Sequence, residues 1–243
     1  MKNPVPPSIA GTSVASTTSD AQRETQKAQP AIRAQLLATE HWSLLATRST
    51  TQSEVLSRIT TFLMLVSSSI VGLALIGQFT RFDGRFITLA LVLVGALVVI
   101  GTLTQGRIGN ASTEDLAHVI GMNRLRGAYV ELDPGIERYF VTSAHDDTDG
   151  VWQTYNPLVG PHQLSNVLAS AGTFILFVTS GLAAAFAAVV GVAVGLPGPI
   201  IGVVAAAAFL AFLATTVLLG MRQYKSIKRS VLFPSPGAGG QQE

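Results

Sequence analysis

Residues 58–107 read RITTFLMLVSSSIVGLALIGQFTRFDGRFITLALVLVGALVVIGTLTQGR, and this stretch decides the fold. Two runs without a charge, residues 59–80 and 86–106, are set off by Arg58, Arg81, Arg85 and Arg107. A bilayer's hydrocarbon core is about 30 Å thick, and a helix needs about 20 apolar residues to cross it, so each run is long enough. The few residues between them leave room only for a tight turn. Residues 59–106 are therefore read as a first transmembrane hairpin.

The composition agrees. Hydrophobic residues make up 48% of the chain and charged residues 12%, the latter about half the share usual in a soluble domain. That imbalance calls for a bilayer. The formal charge of +2 comes with no extended basic face interleaved with aromatics, so nucleic acid is not an expected partner. There is no cysteine, which removes disulfides, thiolate metal sites and cysteine nucleophiles.

A second hairpin follows over residues 162–221. From Val151 to Met221 there is no Asp, Glu, Lys or Arg. Two spans, residues 168–194 and 200–221, are joined by Gly195-Leu196-Pro197-Gly198-Pro199, and Trp152, Tyr155 and His162 are placed at the inner interface. TFLMLVSS at 61–68 lines up with TFILFVTS at 173–180, which predicts a parallel tandem repeat about an axis along the membrane normal. The expected fold class is an all-α membrane protein: four transmembrane helices as two hairpins, with cytoplasmic helices.

The flanks complete the plan. Residues 1–30, rich in Pro, Ser, Thr and Gln and lacking an apolar h-region, predict a disordered N-terminal tail rather than a signal peptide. Residues 31–58 predict an amphipathic cytoplasmic helix, with a bend near residues 50–52 where Thr51 and Glu54 have capping-box spacing; the alternative is one helix unbroken from Ala31 to Phe79. Trp42 is read either at the headgroup level or packed on other cytoplasmic helices. Residues 107–161 predict a cytoplasmic helical insert: a start at Ser112 to Asp115, a break at Asp133-Pro134-Gly135, then a short helix. Residues 222–243 predict a basic segment, then disorder from Pro234. Lys and Arg gather on the side of both termini, against only Arg81 and Arg85 opposite, so the positive-inside rule puts both ends in the cytoplasm of a multi-pass protein of the cell inner membrane.

Candidate functional residues are few. Ser67, Ser68 and Ser69 lie mid-span and Gln78 near the outer end. They read as a polar path or, more plainly, as tolerated hydroxyls at a helix contact. Gly95, Gly101, Gly191, Gly195, Gly198 and Gly202 are helix-packing candidates, within one chain or between copies. Arg222, Lys225, Lys228 and Arg229 form a basic lipid-interface cluster. His145-Asp146-Asp147-Thr148-Asp149-Gly150 is the most metal-like stretch. Set on a calcium loop, however, it puts His145 and Asn156 where Asp and a bidentate Glu belong, so it is read as an acidic surface loop. The four histidines lack paired ligand spacing, and no phosphate-binding glycine loop or nucleophile elbow occurs. No cofactor is expected.

The run His41-Trp42-Ser43-Leu44-Leu45-Ala46-Thr47-Arg48, the first hairpin, and then Gly121-Met122-Asn123-Arg124-Leu125-Arg126 resemble an uncharacterised group of bacterial membrane proteins. Over residues 31–140 the layout is also distantly similar to the SLATT two-span effector domains of bacterial conflict systems. That resemblance implies a membrane pore and carries no specific residues. The expected function is a non-enzymatic, self-associating helical bundle acting as a pore or channel. The alternative is an accessory or scaffold subunit of a larger membrane complex. The expected partners are the lipid bilayer and either further copies or other membrane proteins.

Overall fold

The computed structural model describes residues 12–157, 170–225 and 230–236, apart from the side chains of residues 12–27 and 223–225. The described chain is all-helical: α1 Thr12–Thr80, α2 Gly84–Leu132, a 3-10 turn Pro134–Tyr139, α3 Thr148–Tyr155, α4 Ala171–Ala193 and α5 Gly198–Lys225. Four of these, α1, α2, α4 and α5, are long and apolar enough to cross a membrane. α1 packs on α2 and α4 on α5, and α2 against α4 joins the two hairpins.

The turns are where the sequence places them. Between α1 and α2, Asp83 Oδ1 accepts the N–H groups of Arg85 and Phe86 at 3.0 and 3.1 Å, capping α2. Arg81 and Phe82 sit at φ of 51° and 61°, a left-handed conformation that costs a non-glycine residue about 1–2 kcal/mol. The Phe82 ring folds back over Gly77, where a side chain would block it, and meets Phe86 edge-on at 5.0 Å. Between α4 and α5, Gly195 supplies a φ of 76° and the Leu196 N–H returns to the Gly191 carbonyl at 2.9 Å.

The membrane-spanning core lies where α1, α2 and α4 meet, at Ile59, Phe62, Val66, Leu97, Ile108 and Ile175. Gly101 of α2 is the crossing point. A Cβ there would stand 2.8 Å from Thr179 of α4 and 2.9 Å from Phe62 of α1, so the bare backbone is what lets three helices approach. α5 stands outside this core, and none of its described residues is buried.

On one side, α1 and α2 run on together past their spans as a stem. The bend expected near residues 50–52 is absent; α1 is helical throughout, and the hydroxyls on either side of Thr51 bond within it. Thr50 Oγ1 donates to the Ala46 carbonyl at 3.0 Å and Ser53 Oγ to the Ser49 carbonyl at 2.9 Å. Glu54, expected to close a cap, instead accepts from Arg58 and Arg107, both at 3.0 Å. The two arginines that bound the inner ends of the first hairpin therefore meet on one carboxylate. Residues 112–115 likewise start no new helix; Ser112 bonds the Ile108 carbonyl and Asp115 accepts from Arg48 at 2.6 Å. Leu116, Val119, Met122 and Val151, with Leu44, form the stem's own apolar core.

Two boundaries move. α1 is already helical at Thr12 and carries Pro30 in its interior, so the tail expected through residue 30 is helix from Thr12 on, and residues 1–11 lie outside the described residues. The break at Asp133 stands, but the short helix expected after it is a 3-10 turn.

Candidate functional site

Two places concentrate polar chemistry. The first is the outward face of α1. At 3.6 residues per turn, Trp42, Leu56, Thr60, Ser67, Ala74 and Gln78 fall within about 40° of one another around the helix axis. All six are exposed. Ser68 and Ser69 turn about 100° and 200° away from Ser67. Ser68 is exposed and Ser69 half-buried, so only Ser67 of the serine cluster shares a face with Gln78. Thr60 returns its hydroxyl to the Leu56 carbonyl at 2.9 Å, while Ser67 and Gln78 have no side-chain hydrogen bond among the described residues. Ser67 and Gln78 thus stand exposed on the apolar length of α1, while on the same face Leu56 and Trp42 are exposed about 4.5 Å and 25 Å before Ile59. Trp42 is 71% exposed and lies roughly 25 Å along the axis from Ile59. That distance exceeds the thickness of one headgroup layer, about 5–8 Å, and most of the side chain stays exposed.

The packing glycines divide. Gly101 meets Thr179 and Phe62, Gly95 meets the Phe186 ring at 3.1 Å, and Gly191 meets Ile201 at 3.1 Å. Gly195 serves the turn, and Gly198 and Gly202 face open space. Arg222 is exposed near the end of α5, Lys225 is the helix's last residue, and Lys228, Arg229 and His162 lie outside the described residues.

The second place is a cradle on the stem, and sequence reading missed it. Asp146 and Asp147, expected on an acidic surface loop, are 1% and 8% exposed. What covers them is the segment 230–236, part of which was expected to be disordered. Asp146 Oδ1 accepts the N–H groups of Phe233 at 2.8 Å and Leu232 at 3.1 Å, and its own N–H donates to the Phe233 carbonyl at 3.1 Å. Its Oδ2 accepts from Arg124 Nε at 2.7 Å. Asp147 Oδ2 accepts the Ser235 N–H at 2.7 Å, and Oδ1 accepts the Ser235 hydroxyl at 2.8 Å and the Gly150 N–H that caps α3. Arg124 also donates to the carbonyl and hydroxyl of Ser230. The Phe233 ring lies on Gly127, where a Cβ would stand 2.7 Å from it.

Fully buried Asn123 holds the loop in place. Its Nδ2 donates to the His145 carbonyl at 2.7 Å, and its Oδ1 accepts from Thr154 and Arg126. Gly150 admits that close passage, since a side chain there would strike the His145 carbonyl. Burial pushes both aspartates up, but Arg124 and the Phe233 and Leu232 amides outweigh it at Asp146, and the Ser235 and Gly150 amides at Asp147, so both carboxyls sit below the usual range. At the top of the stem, burial likewise opposes ionisation of Asp115, and Arg48 and the Tyr155 hydroxyl overcome it. Tyr155, assigned to the interface, thus bonds Asp115 at 2.7 Å. Among the described residues no three His, Asp or Glu side chains converge as metal ligands.

Four helices long and apolar enough to span, paired in two hairpins with a core shared by three of them, mark an all-helical, multi-pass integral membrane protein. No protein-family model matches the chain, and no curated protein or solved structure is similar to it.

Proposed function

We propose that the chain is a non-enzymatic membrane protein whose copies associate through the outward face of α1, forming a bundle with a polar pore on the shared axis. One observation carries this: a single exposed face of one continuous helix is polar where lipid would surround it, at Ser67 and Gln78, and apolar beyond the span, at Leu56 beside its start and at Trp42 further out in water. Lipid cannot hydrogen-bond the first pair and water does not favour the second. Protein, or a wet lumen narrowed by apolar side chains, suits both. The buried hydroxyls inside one chain, Thr104, Thr179 and Ser180, are bonded back to their own helices, so the path runs between copies. The resemblance to SLATT domains points the same way. The stem carries Arg33, Arg48, Arg124, Arg126 and Arg138 and the opposite turn only Arg81 and Arg85, which supports a stem inside the cell and both termini cytoplasmic, in the inner membrane.

The chain has no cysteine, so one introduced residue reports one face. In liposomes, Ser67→Cys should cross-link into dimers on mild oxidation while Val99→Cys, exposed on α2, should not, and wild-type liposomes should pass ions that empty ones do not. Equal cross-linking at both positions, or no flux under several potentials, defeats the proposal. The second reading, an accessory subunit of a larger complex, is favoured by Ile32 and Leu36, which are exposed on α1 around its last ion pair with α2, Arg33 to Glu131. It predicts an unlike partner in fixed ratio after purification in mild detergent.

A further inference from the structure

The association face does not involve the cradle on the stem, which makes contacts of a different kind. Most of its bonds to residues 230–236 are to main chain: three N–H groups and one carbonyl engage Asp146 and Asp147, and a further carbonyl engages Arg124. Side chains add a ring seated on Gly127 and the Ser230 and Ser235 hydroxyls. Main-chain bonding with one aromatic anchor is a mode of peptide recognition, the backbone giving affinity and the pocket selectivity, and here the chain bends at Leu232 and Phe233 so that two consecutive N–H groups meet one carboxylate. The cradle is complete without its occupant. Asn123, Gly150 and the α3 cap fix the loop through bonds that do not use residues 230–236. The occupant also comes soon after α5, the helix that buries none of its described residues.

We propose that the hollow formed by Arg124, Gly127, Asp146 and Asp147 is a peptide-recognition groove, and that residues 230–236 are its displaceable resident ligand, a latch on the stem end of α5. The ligand class is a short segment that bends at an apolar residue and a Phe, followed by Pro-Ser. A tethered occupant competes at an effective concentration in the millimolar range, so free peptide enters only where the tether's own grip is weakened.

The test uses the full chain in lipid nanodiscs and a labelled peptide, Ser-Val-Leu-Phe-Pro-Ser-Pro. The Phe233→Ala chain, its aromatic anchor gone, should bind the peptide saturably and at least tenfold more tightly than wild type. Adding Asp146→Asn should weaken that binding at least tenfold. Hydrogen exchange of α2 and α3 checks that the stem is intact, and Ser235→Ala serves as a milder second variant. Equal binding to wild type and variants overturns the proposal, as does no binding to a variant with native exchange. Loss of native exchange in both variants also overturns it, since residues 230–236 would then be a structural part of the stem and not an occupant.

Discussion

The two hairpins begin with closely matching octets and use them differently. Thr61 through Ser68 aligns with Thr173 through Ser180, yet Phe62 is buried while its counterpart Phe174 is 54% exposed. Ser67 and Ser68 are exposed, whereas Thr179 and Ser180 are fully buried and return their hydroxyls to the Ile175 and Leu176 carbonyls at 2.8 and 2.7 Å. The buried face of α4 is rotated by roughly 150° relative to that of α1, about one and a half residues' turn. Likeness in a membrane helix thus fixes the span without fixing which side faces protein. In the second hairpin a hydroxyl is useful because, once bonded to its own backbone, it presents only a small surface to Gly101.

The sharpest way to break the comparison is to make the same change at the aligned positions. Thr179→Leu should overpack the crossing at Gly101 and destabilise the bundle by about 3 kcal/mol, while Ser67→Leu should leave the fold of one copy within about 0.5 kcal/mol of wild type, both read by thermal unfolding in detergent. Similar costs at the two sites would restore the equivalence that the sequences suggest. A smaller effect is expected on the stem. Arg124→Ala leaves a buried carboxylate with less compensation, and the latch should weaken by about 2 kcal/mol, measured as faster amide exchange at Leu232 and Phe233.

Acid should act on the same bonds. Because Asp146 and Asp147 are held below their ordinary values when folded, their contribution is complete above the ordinary carboxylate range and is lost as pH falls through the lowered values. Protection of the Leu232 amide should therefore be flat at neutral pH and begin to fall as pH enters the ordinary carboxylate range. A loss beginning near neutrality would point to another group. The smallest effect belongs to Gly202→Leu on α5, within about 0.5 kcal/mol of wild type, because nothing lies within 4 Å of a Cβ there.

The spans, both turns and the break at Asp133 were legible because each rests on local chemistry: apolar runs, a capping aspartate, a glycine at positive φ. The continuity of α1 through Thr50 was not. A hydroxyl that caps a helix and one that bonds back four residues look alike in a sequence, and it is α2 alongside that decides between them. The cradle was illegible for a different reason. Asp146 and Asp147 are buried by residues 86 to 88 positions further along, and no local pattern announces such a pairing. The nearest signals were Gly127 and Gly150, glycines in helical surroundings whose missing side chains leave room for Phe233 and for the His145 carbonyl.

α1 has no proline between Pro30 and its end, and it stays helical past the serines and threonines whose hydroxyls bond back four residues. The sharp kink that a proline would introduce is therefore missing from this stretch. Whatever turns Trp42 acts on the same continuous helix that carries Ser67, roughly 38 Å away.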